Sequence, residues 1–276
     1  MKMYQVDAFT QQLFKGNSAA VLVLEEWLSD DWMQNIALEN NLAETAFVKK
    51  IDNQNYQIRW FSPTVEIDFC GHATLASAYV LFKDYIQGNT LNFHVKNLGI
   101  FNIEQLQDGK ITMNFPIRKA QQLSHYPEEL NHVIDRPFSE VYVNEQAFIL
   151  VLENEQDVID SIPDLEAIKQ LAELHNQSAA ITAYGADLDL TLTAKSEKYD
   201  FISRYFAPQK GIDEDPVTGS MHTGLAPLWA DKLAKNNLIA FQASARGGEL
   251  YCQLLENERI EISGYAKLYM VAEINV

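Results

Sequence analysis

Three short stretches carry side chains whose types and spacing could do chemistry. In "NLAETAFV" (41–48), period-two alternation puts Glu44 on one face with Leu42, Ala46 and Val48. A carboxylate there is either at a strand end in water or desolvated, and desolvation favours its neutral form. The desolvated case is what a general acid/base working near neutral pH requires. The local residues leave both readings open, and they offer no neighbouring cation. In "FCGHATLASA" (69–78), Cys70, Gly71 and His72 lead into an apolar run. A cysteine at such a helix start can act as a thiolate acid/base or sit as a small buried residue; burial is the expectation here. In "GIDEDPVTGSMHTGLA" (211–226), three acids and a proline precede Gly219, Ser220 and a second apolar run. Amide groups at a helix start are unsatisfied and favour negative charge, and glycine lets a ligand approach them. Gly71-His72 and Gly219-Ser220 therefore read either as holders of a small anion or as plain turn and cap residues. No Lys follows Gly219, which excludes a phosphate P-loop. His222 and the acids at 213–215 match no strong metal spacing, so no metal is expected.

The second and third stretches belong to one pattern written twice. In "RWFSPTVEIDFCGHATLASA" (59–78), Arg59, Phe61, Pro63, Ile67 and Asp68 align without a gap onto Arg204, Phe206, Pro208, Ile212 and Asp213. After Cys70 and Asp215 the second copy inserts three residues, and register resumes with Gly71-His72 against Gly219-Ser220. This alignment sets Asp215 opposite Cys70 and leaves Cys252 outside the repeat. A racemase with one thiol from each half would need a second cysteine there, so the two-thiol mechanism is not expected.

The elements that must position these groups follow from periodicity. "YQIRWF" and "DFISRYF" are β-branched and aromatic and read as strands, each ended by its Pro. "YQVDAF", "AAVLVL", "ETAFVKK", "KITMNF" and "EVYVNEQAFILVLE" also read as strands. "HATLASAYVLF" (72–82) is apolar nearly all round, which predicts a helix buried on every side. "MHTGLAPLWADKLA" (221–234) is its counterpart, with Pro227 expected to kink it or delay its start. Segments 29–41, with Ser29 as N-cap, and 164–176 read as amphipathic helices. The expected architecture is α+β, with two pseudo-symmetric domains, each a highly curved, mostly antiparallel sheet wrapped around a central helix. The first covers 1–117, with its helix near 72–83 and with 263–276 as a candidate addition. The second covers 118–262, with its helix near 220–235. With two such helix starts related by a pseudo-two-fold, the natural ligand is small, anionic or polar, and held between the halves.

Composition narrows the function. The 276 residues suit two domains of ordinary size, and 47% hydrophobic with 21% charged is a globular composition. The net charge of −17 repels nucleic acid and anionic membranes. Apolar runs such as "FILVL" are far too short to span a bilayer. Asp7 and Gln11 interrupt any signal-like stretch, and the two cysteines supply no disulfide framework, so a cytoplasmic location is expected.

Four blocks taken together resemble the phenazine-biosynthesis PhzF-like proteins of the diaminopimelate epimerase-like fold. They are "DAFT" with "KGNSAAVLVL" (7–24), "NLAETAFV", "FCGHATLASA" and "DEDPVTGSMHTGLAPLWA" (213–230), in the same order over essentially the whole chain. The resemblance implies an active site in the cleft between domains, a homodimer and no cofactor. It makes Glu44 the proton shuttle, with His72, Asp215 and Ser220 in contact with substrate and with Asn17 lining the cleft. The backbone around Gly71-His72 and Gly219-Ser220 would take a substrate carboxylate or similar group. One departure is Ser18, where the family usually has Pro, which removes a pre-proline restriction on Asn17. The reaction the resemblance implies is isomerisation of a compound like trans-2,3-dihydro-3-hydroxyanthranilate.

The expected activity is thus a cofactor-independent isomerase, with Glu44, His72 and Asp215 catalytic and with Gly71, Gly219, Ser220 and Asn17 binding a small anionic substrate. Two alternatives are a racemase or epimerase using Cys70 with Glu44 or Asp215, and a non-catalytic small-molecule binding protein. A hydrolase fits least, because "GSM" lacks the G-x-S-x-G elbow.

Overall fold

Runs of β-branched and aromatic residues become strands in both halves of the chain, and the apolar segments after Gly71 and Gly219 become helices. The computed structural model describes residues 1–175 and 188–275. The chain divides into two units, Met1–Phe115 with Glu261–Val276, and Pro116–Ile260.

The first unit contains β1 (Lys2–Ala8), β2 (Asn17–Leu24), α1 (Asp30–Asn40), β3 (Glu44–Lys50), β4 (Asn55–Phe61), β5 (Glu66–Ile67), α2 (Gly71–Asp84), β6 (Thr90–Val95), β7 (Gly99–Gln105) and β8 (Ile111–Pro116). β1 and β2 pair antiparallel, α1 crosses over to bring β3 parallel to β2, and β4 returns antiparallel to β3. α2 then crosses over so that β6 runs parallel to β4. Ser29 caps α1 by accepting from the Trp32 amide, as expected, and Asn41 ends it in the left-handed conformation. α2 packs against β1, β2 and β3 and is buried at most positions from Gly71 to Leu81. Gly16 ahead of β2 has φ +66°, and a Cβ there would lie 2.0 Å from the Ala8 carbonyl oxygen, so only glycine lets the chain turn into β2.

The second unit repeats this order. It contains β9 (Gln121–Gln122), β10 (Phe138–Val143), β11 (Ala147–Leu152), α3 (Glu155–Asp160), α4 (Leu165–His175), β12 (Asp189–Lys195), β13 (Phe201–Phe206), α5 (Gly219–Leu233), β14 (Asn237–Gln242) and β15 (Gly248–Leu254). β10 and β11 are antiparallel, β11 and β12 parallel, β12 and β13 antiparallel, and β13 and β14 parallel. The chain ends with β16 (Arg259–Gly264) and β17 (Ala266–Glu273), and β17 pairs antiparallel with β1.

Two local expectations change, and one segment runs past the described residues. Residues 140–153 form a hairpin rather than one strand, because the Asn144 side-chain oxygen accepts from the Gln146 and Ala147 amides and turns the chain. The last residue of the 164–176 segment lies outside the described residues. α5 neither starts late nor breaks at Pro227. A proline there removes the N–H that would bond the Thr223 carbonyl; the Arg118 amide supplies that bond instead, at 3.2 Å. Gly224 lets this segment approach, since a Cβ on it would meet the Arg118 carbonyl oxygen at 2.8 Å and the Asn144 amide nitrogen at 2.5 Å.

The repeat also aligns differently from its sequence reading. Arg59 forks onto Glu66 at 2.6 Å and lies over Phe61, while Arg204 forks onto Glu214 and lies over Phe206. Trp60 faces Ile67 across β4 and β5, and Tyr205 accepts the Asp215 amide. Both sets place the three extra residues before Glu214, at the 3-10 turn Pro208–Lys210. The residue opposite Cys70 is therefore Thr218, the N-cap of α5, not Asp215. Ile212 and Asp213 match Ile67 and Asp68 by letter only.

Candidate active site

In the first unit, Asn17 opens β2, Glu44 opens the parallel β3, and Gly71 and His72 open α2. Adjacent parallel strands begin at the same end of a sheet, so the crossover by α1 brings residues 17 and 44 together. Asn17 Nδ2 lies 3.1 Å from His72 Nδ1, and Glu44 Oε2 lies 2.9 Å from His72 Nε2. Cys70 Sγ lies 3.3 Å from Nδ1 and 3.8 Å from Nε2. The Glu44 and His72 side chains are 9% and 6% exposed, so this polar group is shielded from water. Removing Pro from position 18 does not loosen Asn17, which pairs with Ala8 in the β1–β2 ladder.

The proton inventory follows. Burial pushes the Cys70 thiol up to about 11, with the charge of Glu44 adding to it. At neutral pH Cys70 is therefore a thiol. Burial alone would depress His72, but the charge of Glu44 at ion-pair distance and the contact with Cys70 Sγ outweigh it and hold His72 well above the usual imidazole range. The Asn17 amide can serve either ring state, donating through Nδ2 to the neutral ring or accepting through Oδ1 from the protonated one. Although Oε2 of Glu44 is at ion-pair distance from Nε2, it accepts no hydrogen bond among the described residues, which leaves a buried oxygen free to meet a ligand.

The second unit holds the other expected residues. Thr218 Oγ1 donates to Asp215 Oδ2 at 2.5 Å. The buried Gln242 side chain clasps this loop at both ends. Its Nε2 donates to the Asp215 carbonyl oxygen and to Thr218 Oγ1, and its Oε1 accepts from the Thr218 amide. At the start of α5, Ser220 Oγ accepts from Gln146 Nε2, which also reaches Tyr205 Oη. Tyr205 in turn donates to the buried Asp189, which Gln209 and Lys210 also engage, the latter at 2.8 Å. Neither Cys70 nor Thr218 uses its side chain to cap the helix it precedes. His222 stands apart from the acids at 213–215. It is fully buried, stacks on Phe201, and bonds the Thr218 carbonyl oxygen through Nδ1. Burial pushes it down to about 4, so it is a neutral core residue.

The structure thus gathers Asn17, Glu44, Gly71 and His72 in the first unit, and Asp215, Gly219 and Ser220 on one loop and helix start in the second. It corrects two local readings. Glu44 has a basic partner, which comes from α2 rather than from its own strand. Cys70 is buried but belongs to the Glu44–His72 cluster. Gln146, Thr218 and Gln242 were missed; no local signal marks Gln242, which is 24 residues beyond Thr218.

Comparison with known proteins follows the same lines. The profile of the phenazine biosynthesis-like protein family, PhzC-PhzF, matches residues 6–272. An uncharacterized isomerase of Pseudomonas aeruginosa is 40% identical over 277 residues, covering 100% of this chain and 99% of its own. A phenazine biosynthesis protein of the PhzF family from Enterococcus faecalis is 39% identical, with a TM-score of 0.89 over 100% of this chain and 99% of its own. A predicted epimerase from Pseudomonas aeruginosa is 18% identical, with a TM-score of 0.72 over 100% of this chain and 99% of its own, a likeness of fold alone. The fold is α+β and diaminopimelate epimerase-like. Among the described residues no helix is long and apolar enough to cross a membrane. With a profile that spans nearly the whole chain and relatives that match it end to end, the protein belongs to the phenazine biosynthesis-like family.

Proposed function

We propose that the protein is a cofactor-independent isomerase that moves a proton between two carbons of a small, unsaturated, carboxylate-bearing metabolite through Glu44. The observation that carries this reading is the Glu44 carboxylate, buried, at ion-pair distance from His72, with Oε2 accepting no hydrogen bond. Family membership and a relative named as an isomerase support the class of reaction.

In this reading Glu44 takes a proton from a carbon acidified by conjugation. The electron pair of the broken C–H bond shifts along the conjugated system, and Glu44 returns the proton to a carbon further along. No atom is gained or lost. His72, held charged by its neighbours, steadies the Glu44 carboxylate and donates toward a substrate amine or hydroxyl. Asp215 assists proton movement, and Ser220 and the amides of Gly71 and Gly219, each at a helix start, favour an anionic group. Asn17 serves this reading by fixing the His72 ring. The roles of Asp215 and Ser220, a homodimer, a cytoplasmic location and a substrate resembling trans-2,3-dihydro-3-hydroxyanthranilate rest on the family resemblance.

A racemase using Cys70 is disfavoured on two counts. Its thiol is pushed up to about 11, which leaves little thiolate to work with Glu44 or Asp215, and a two-thiol version lacks its partner because the equivalent position in the second unit is Thr218. The reading is tested by proton NMR of the protein with that dihydro compound and a panel of unsaturated amino and hydroxy acids. Double-bond migration in at least one is expected. Binding of a panel member with no turnover over long incubation would favour a non-catalytic binding protein.

A further inference from the structure

The Glu44 cluster has a property that proton transfer does not use. Glu44, Cys70 and His72 are all buried, and each offers one ligand atom within 4.8 Å of the other two. Carboxylate oxygen, thiol sulfur and imidazole nitrogen are a donor set for zinc and similar divalent ions of the borderline-soft class, not for magnesium or calcium.

The spacing agrees. Zinc bonds of roughly 2.0 Å to nitrogen and oxygen and 2.3 Å to sulfur, at tetrahedral angles, put ligand atoms about 3.3–3.5 Å apart. His72 Nε2 lies 2.9 Å from Glu44 Oε2 and 3.8 Å from Cys70 Sγ, values on either side of that spacing. Oε2 is the buried oxygen that accepts no hydrogen bond, so coordination would satisfy it without breaking one. With Nε2 on the metal, the ring carries its proton on Nδ1, which lies 3.1 Å from Asn17 Nδ2, so the Asn17 amide must turn over to present Oδ1. The Asn17 amide would accept that proton through Oδ1, the outer contact that metal-bound histidines use to fix their orientation.

We propose that Glu44, Cys70 and His72 form a three-ligand site for a zinc-class divalent cation, and that its occupation silences the proton-transfer site. Binding releases two protons to solvent, that of the Cys70 thiol and that on His72 Nε2, and leaves a fourth position for water. The metal ties up the Glu44 oxygen, so the site is inhibitory. Only this inhibition rests on the proposed isomerase reading; the binding does not.

The test is titration of the reduced, metal-free full chain with Co²⁺, a zinc surrogate whose thiolate bonding gives a near-ultraviolet charge-transfer band. One equivalent should develop the band, and Zn²⁺ should displace it. Cys70→Ser should abolish it, Glu44→Gln should weaken binding at least about tenfold, and Asn17→Ala should weaken it about 10- to 100-fold. Cys252→Ser should retain the band, because the buried Cys252 is not in the cluster. Circular dichroism and thermal melting confirm that each variant is folded. Absence of the band in folded wild type, or its survival in folded Cys70→Ser, would overturn the proposal. A band that forms normally while zinc fails to slow turnover would uphold the site and overturn its inhibitory role.

Discussion

Glu44 and Asp189 hold the same position in the two copies of the fold. Glu44 opens β3 opposite Ala19 of a parallel strand, and Asp189 opens β12 opposite Ala147 of a parallel strand. The residues that follow them, Thr45 and Leu190, face Phe61 and Phe206, the same matched pair in each antiparallel ladder. Their surroundings diverge. Tyr205, Gln209 and Lys210 all engage Asp189, whereas Glu44 faces His72 with one oxygen that accepts no hydrogen bond. One copy ties its acid into the scaffold and the other leaves it open.

That contrast predicts opposite outcomes for the two acids. Asp189→Asn should lower stability by about 1–3 kcal/mol, because it weakens buried, charge-assisted hydrogen bonds, yet proton exchange into substrate should continue. Glu44→Gln also removes the counter-charge of buried His72 and should lower stability, but it alone should stop exchange. Denaturant titration and NMR exchange on both variants check the pair.

Cys70 lies beside the acting groups without being the base. Its thiol is pushed up to about 11, so few molecules carry a thiolate at neutral pH. Cys70→Ser should slow exchange by less than about tenfold, a modest change for a group outside the proton path. Loss of all exchange in a folded Cys70→Ser protein would restore the racemase mechanism.

Much of this was legible in the sequence. The strand-ending Arg, Phe and Pro of each copy, the two apolar helices and the Ser29 cap follow from periodicity and residue type. The location of the insertion was misplaced because Ile67-Asp68 and Ile212-Asp213 match by letter, while the paired fork of Arg59 on Glu66 and Arg204 on Glu214 exists only once the strands fold. The likeness of Glu44 to Asp189 was invisible for a related reason. "LAETAFV" and "LDLTLTA" share a strand position, and only the ladder register reveals it. The Glu44–Cys70–His72 cluster joins residues from two elements, which no local pattern reports.

Gly224 tests the packing that carries α5 through Pro227. Gly224→Ala adds a methyl that would meet the Arg118 carbonyl oxygen and the Asn144 amide at distances real Cβ atoms do not tolerate. The expected cost is about 1–3 kcal/mol, read from a shift in the denaturation midpoint. A neutral result would show that the 117–118 segment moves aside freely.

His222 predicts an acid-side dependence of stability. Burial pushes it down to about 4, opposed in part by its hydrogen bond to the Thr218 carbonyl. Above about pH 6.5 it is neutral in both folded and unfolded chains and contributes no slope. As pH falls from there toward 4, the unfolded chain takes up a proton that the folded chain refuses. Stability therefore declines, by up to about 3 kcal/mol. His222→Gln should flatten this part of the profile, whatever it does to stability at pH 7. An unchanged slope between pH 6.5 and 4 would contradict the assignment.

Deuterium reports whether Glu44 carries the proton. Wild type and Glu44→Gln are incubated in D₂O with the dihydro compound or whichever panel acid binds, with binding measured on both proteins by line broadening. Both proteins should bind the ligand comparably; wild type should move deuterium onto carbon as the double bond shifts, and Glu44→Gln should show neither the deuterium nor the shift. Deuterium incorporation by folded Glu44→Gln at the wild-type rate would contradict that role for Glu44.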